Sequence, residues 1–91
     1  MSDIRTMRIG ISANFSPYMF NQMQYAILDN LESRGVRLGT AYTTFPQPSG
    51  KSVFNINFRG SVTPSAMNYL KAMQSCGAEV EGVPELAKIQ V

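Results

Sequence analysis

Arginine, asparagine and tyrosine, rather than histidine or cysteine, are the residues with which this chain can do chemistry. The 91 residues include no His and one Cys, Cys76. The usual zinc, haem and His-based acid–base sites therefore have neither ligands nor bases, no cofactor is expected, and a disulfide within one chain is excluded. Cys76, at the end of a predicted helix, is expected to be a small buried hydrophobe rather than a nucleophile. Two constellations remain. Arg8, Ser12, Arg37, Lys51, Asn55, Asn57 and Arg59 combine cationic groups that take phosphates with amides and a hydroxyl that hydrogen-bond bases or anions. Tyr18, Gln22, Tyr25 and Leu28 offer apolar area with polar tips, the chemistry of protein contact surfaces. Neither set contains a nucleophile with its base, so binding is expected and catalysis is not.

The elements that must position these groups follow from periodicity. Met7, Ile9, Ile11 and Ala13 alternate with Arg8, Gly10 and Ser12, the pattern of a half-buried strand. Ser16-Pro17 then predicts a helix start, because the hydroxyl can accept a free amide and proline at the first helical position loses no hydrogen bond. At about 100° per residue Phe20, Met23, Ile27 and Leu31 share one face, while Tyr18, Tyr25 and Leu28 fall away from it and are expected to be exposed or nearly so. The helix is expected to run to about Arg34, with Gly35 as its left-handed terminator. Residues 36–45 and 51–60 read as two strands of a hairpin around Pro46-Gln47-Pro48-Ser49-Gly50, and Phe54, Ile56 and Phe58 alternate against Val53, Asn55, Asn57 and Arg59. Thr63-Pro64 opens a second helix with the stripe Ala66, Leu70 and Met73, closed by Gly77. The six methionines are assigned mostly to such core stripes as gap-fillers. A last extended segment is expected between Glu79 and Val91, confined by Pro84 to an edge or a break.

The two halves superpose at one offset. Ile9-Gly10-Ile11-Ser12-Ala13-Asn14-Phe15-Ser16-Pro17 lies against Ile56-Asn57-Phe58-Arg59-Gly60-Ser61-Val62-Thr63-Pro64, so strand, exit, cap and proline coincide. Two strand–helix–strand units joined by a hairpin make an α+β chain of the βαββαβ, ferredoxin-like plan, with two helices packed on one face of a four-stranded antiparallel sheet. One domain spanning residues 1–91 is expected, since chains split into separate cores only at greater length.

With the first and third strands central, Arg8, Gly10 and Ser12 stand beside Asn55, Asn57 and Arg59 on the open face, which is expected to be polar and positive. Residues 51–58 resemble the signature strand of the RNA recognition motif family at Lys51, Ile56 and Phe58. They lack its glycine, and alternation turns Phe54 and Phe58 toward the helices instead of outward to stack bases. Acylphosphatases share the topology and use one Arg and one Asn, matched in type by Arg8 or Arg59 with Asn57, but Ala13-Asn14-Phe15 stands where that family has a glycine-rich phosphate loop. Arg59 and Ser12 occupy equivalent positions in the two repeats. They are expected to flank the sheet end from which the helix starts emerge, where their free amides and Arg8 would complete an anion site.

Charge is sparse and uneven. Charged residues make up 15% of the chain and the net charge is +2, against about 25% charged in an average domain. Between Glu32 and Glu79 there is no acid, while Arg34, Arg37, Lys51, Arg59 and Lys71 all fall there. No apolar run approaches the roughly 20 residues of a membrane helix, and Met1-Ser2-Asp3-Ile4-Arg5 lacks the apolar core of a secretory signal. A cytoplasmic location is therefore expected. The sum of these features is a small non-enzymatic protein–protein interaction module, an adaptor, inhibitor or assembly subunit of the size of compact viral proteins, that forms a homo-oligomer and uses neither membrane nor cofactor. The alternative is a nucleic-acid-binding module using the open sheet face and the hairpin.

Overall fold

The computed structural model describes residues 4–43 and 50–88. The chain order is β1 (Ile4–Ser12), α1 (Pro17–Ser33), β2 (Arg37–Thr43), β3 (Lys51–Arg59), α2 (Pro64–Ser75), β4 (Glu79–Glu81) and a short α3 (Glu85–Lys88). The strands form one antiparallel sheet in the order β2-β3-β1-β4. With α1 and α2 packed on one face, this is an α+β fold consistent with the ferredoxin-like plan. Most of the expected hairpin turn, residues 46–49, lies outside the described residues, as do residues 89–91.

Local sequence explains the elements. Ser16 Oγ accepts the Met19 N–H at 3.2 Å and Thr63 Oγ1 accepts the Ala66 N–H at 3.1 Å, each followed by proline at the first helical position. Both caps satisfy one of the amides that a helix start leaves unpaired. Gly35, at φ +94°, lets the chain leave α1 in the left-handed region that side chains disfavour. From there it turns directly into β2.

The core lies between the helices and one sheet face. Met7, Ile9, Phe54, Ile56 and Phe58 from the sheet meet Phe20, Ile27 and Leu31 of α1 and Ala66 and Leu70 of α2, and the Phe20 and Phe54 rings stack with centroids 4.4 Å apart. Ser52 occupies a core position yet is polar; its Oγ donates to the Ala13 carbonyl at 3.3 Å, fastening the loop before α1 to β3.

Two expectations about burial are corrected. Leu28 is half-buried against the core, because a long side chain on the flank of a helix can lean inward onto the sheet. Cys76 is exposed; α2 ends at Ser75 and Cys76 is its C-cap, on the wall of an open groove rather than in the core. The methionines are placed mostly as expected: among the described ones Met7 is fully buried, Met23, Met67 and Met73 are half-buried against the core, and Met19 is exposed.

β2 carries a bulge. Arg37 pairs with Arg59 and Leu38 with Phe58, but the next partners are Ala41 and Ile56. Gly39 and Thr40 therefore both stand against Asn57, and an extra residue on one strand reverses the facing of everything on one side of it. Beyond β4 the chain passes so close to β1 that a Cβ on Gly82 would lie 2.2 Å from the Thr6 carbonyl oxygen, and Gly82 has φ +86°. This contact starts the turn that returns Glu85 to the sheet.

Candidate functional site

The helices run antiparallel, so the C-terminal end of α1 lies beside the N-terminal end of α2, and that junction is fastened with polar groups. Arg34 Nη1 donates to the Ser65 hydroxyl and carbonyl at 3.2 and 3.4 Å, its guanidinium lies 5.3 Å from the Tyr69 ring centroid, and Thr63 Oγ1 donates to the Arg34 carbonyl. Burial pushes the Tyr69 phenol up from its ordinary pKa, against the opposing effect of Arg34. The loop before α2 is held from the sheet side. Arg5 binds Glu85 in a fork at 2.7 and 2.8 Å, donates to the Gly60 carbonyl at 3.0 Å, and lies 4.7 Å from the Phe58 ring centroid. Glu85 also accepts the Val62 N–H at 3.4 Å. The Arg5 hydrogen bonds, opposed by burial, hold the Glu85 carboxyl at about 2, well below the usual carboxylate range.

The opposite end of the helix layer is open and apolar. Between the start of α1 and the end of α2 runs a groove of about 330 Å³ with Met23 on one wall, Tyr69, Ala72, Met73 and Cys76 on the other, and Ile11 and Ala78 beneath. On the α1 side Met23 is shared with a second depression of about 360 Å³ formed with Phe15, Met19, Gln22 and Ala26. On the same helix Tyr18 is 71% exposed and Tyr25 64% exposed, with Gln22 also exposed between them in sequence. Of the four expected contact residues, Gln22 lines the second depression, Tyr18 and Tyr25 are exposed but line neither depression, and Leu28 is drawn toward the core.

Met19, Met23, Tyr69 and Met73 were not expected here. Their signal was present: Met19 and Ala26 recur at helical spacing with Met23, at the edge of the core stripe. Separating a groove wall from a core edge, however, requires knowing how far apart two helices lie.

The open sheet face is less positive than its strands alone imply. Lys51 Nζ meets Glu79 Oε1 at 2.6 Å, and Arg8 is the register partner of Glu81, because β4 returns the acidic tail of the chain to the edge beside β1. Arg8, Lys51, Glu79 and Glu81 line one small depression. Asn55 is only 8% exposed, since β3 is a central strand with neighbours on both sides. Asn57 accepts a hydrogen bond from the Thr6 hydroxyl at 2.7 Å.

The expected anion site joining Ser12 and Arg59 is not formed. β1 and β3 are antiparallel, so Ser12 pairs with Lys51 and Arg59 with Ile4. Equivalence between the repeats therefore places Ser12 and Arg59 at opposite sheet ends, eight residues or about 26 Å apart, and the two helix starts diverge with them. Arg37 and Arg59 remain as an exposed pair at one end. Among the described residues no helix is long and apolar enough to cross a membrane. Compared with models of known protein families and with curated proteins, the chain matches none.

Proposed function

We propose that the protein is a non-enzymatic protein-binding module whose contact surface is the open end of the α1–α2 layer, and whose first partner is a second copy of the chain. The observation that carries this reading is the apolar groove between α1 and α2, continued past Met23 to exposed Met19, on a helix that also exposes Tyr18 and Tyr25. A large apolar depression flanked by exposed aromatic side chains is the composition of an interface centre. Each copy carries both a ridge, Tyr18-Gln22-Tyr25, and a groove, which suits the self-complementary surface that a two-fold dimer uses.

The molecule extends 34 × 33 × 19 Å, and its broad face exceeds the roughly 800 Å² that each partner of a standard interface contributes. Nucleic-acid binding along the open sheet has weaker support, because Lys51 and Arg8 are set against Glu79 and Glu81.

Light scattering tests the proposal. The parent chain is expected to show a mass near twice the 10.0 kDa of one chain at high micromolar concentration. Tyr25→Glu should weaken association by at least 30-fold, the effect of losing a centre residue worth about 2 kcal/mol, with an unchanged circular dichroism spectrum. A monomeric parent, or a Tyr25→Glu variant that associates as the parent does, defeats it.

A further inference from the structure

The charges around the sheet divide into those that are met and those that are not. Arg5 is forked by Glu85 and Lys51 is bridged by Glu79; Arg8 makes no ion pair among the described residues but has the acidic Glu81 as its register partner on β4. Arg37 and Arg59 are different: they stand directly opposite one another in the β2–β3 pairing, both are exposed, and neither makes an ion pair among the described residues. Their neighbour on β1 is Ile4, an exposed apolar residue, and the adjoining row is the neutral Thr6–Asn57 hydrogen bond. Like charges directly opposite on neighbouring strands destabilise a sheet.

The bulge in β2 creates this pair. Tyr42 is registered with Asn55 on the open face. Strict alternation backward from Tyr42 would put Leu38 on that face and turn Arg37 toward the helices. The extra residue between Leu38 and Ala41 reverses both, so that Leu38 lies against Phe58 and Arg37 beside Arg59. The reversal sets Leu38 half-buried against the core and leaves two exposed arginines side by side on adjacent strands.

We propose that Arg37 and Arg59 form a binding site for a phosphate monoester dianion, on the sheet face opposite the helix groove. A guanidinium presents two parallel N–H donors that match phosphate oxygens. Two such forks satisfy three terminal oxygens and two negative charges together, whereas a diester offers one charge and two free oxygens. The bound dianion also removes the repulsion between the arginines, so binding and stability are linked.

The experiment measures melting temperature and calorimetric binding with inorganic phosphate, phenyl phosphate and dimethyl phosphate, each against sodium chloride at matched ionic strength and pH 7.5. Phosphate or phenyl phosphate should raise the parent's melting temperature by a few degrees where chloride does not. Dimethyl phosphate should bind at least tenfold more weakly. Equal binding of the two monoesters assigns the site to the phosphate group alone, and tighter binding of phenyl phosphate assigns it to an organic monoester resting on Ile4; both uphold the site. Arg59→Gln and Arg37→Gln, each at an exposed position, should melt no lower than the parent in chloride and lose the phosphate response. Phosphate acting no differently from chloride, a response that survives either substitution, or a diester bound as tightly as the monoesters would overturn the proposal.

Discussion

The two ends of the helix layer are built from opposite materials. Where α1 ends and α2 begins, Arg34, Thr63, Arg5 and Glu85 join helix to helix and helix to sheet through charged and neutral hydrogen bonds. Where α1 begins and α2 ends, no comparable bond crosses between the helices among the described residues, and Phe15, Met19, Met23, Met73 and Cys76 surround open space. The fastened end carries one imperfection, the buried Arg34 Nε, which has no hydrogen-bond partner among the described residues. Directional bonds resist exchange for another partner, since breaking them leaves polar groups unsatisfied. Apolar surface carries no such preference and gains by covering itself with whatever fits. The difference teaches which end holds the fold together and which is left uncovered.

The largest effect should follow from Gly82→Ala. A Cβ there strikes the Thr6 carbonyl, and the backbone is already in the left-handed region, so the turn that brings Glu85 to the fastened end cannot form undistorted. A loss of about 3–5 kcal/mol in chemical denaturation is expected, in the range of severe backbone conflicts.

Glu85→Gln should cost about 2 kcal/mol, the scale of a lost charge-assisted fork. Its pH dependence has a definite sign. The Glu85 carboxyl is depressed from 4.5 to about 2, so its contribution is complete above 4.5 and is lost as pH falls from there toward 2. Denaturation midpoints measured between pH 5 and 2 should fall more steeply in the parent than in the variant.

Smaller effects separate the two caps. Thr63→Ala removes a helix cap and the bond to the Arg34 carbonyl together and should cost about 1–2 kcal/mol. Ser16→Ala, at the open end, removes the cap alone and should cost about 0.5–1 kcal/mol. Equal losses in thermal melts would erase the difference between the ends. Met19→Asp should change stability least, by under about 0.5 kcal/mol, because an exposed residue away from caps and core contributes little to the folded state.

What the sequence made legible was local in origin. Ser16-Pro17 and Thr63-Pro64 each carry a complete helix start, and the alternation of Phe54, Ile56 and Phe58 declares which face of β3 is buried; together these were enough for the fold and for the exposed tyrosines. Relations set by register were not legible. The repeat that aligns Ser12 with Arg59 is real as sequence, but antiparallel pairing sends the two residues to opposite ends. No propensity announces the extra residue in β2 that turns Arg37 outward, and the return of Glu79 and Glu81 onto the basic sheet depends on where the last short strand pairs. Arg5 and Glu85, 80 positions apart, meet only because Gly82 admits a close turn.

Cys76 permits the most direct test of the central claim, that the open end is the contact surface. Its thiol is exposed and lines the groove, so a bulky maleimide adduct placed on it fills the space a partner would occupy. The control carries the same adduct at the fastened end, on Ser65→Cys in a Cys76→Ser background. Light scattering should give a monomer mass for the Cys76 adduct and twice that mass for both the unlabelled parent and the Ser65→Cys adduct. A Cys76 adduct that associates as fully as the unlabelled chain would show that the groove is not where the protein binds.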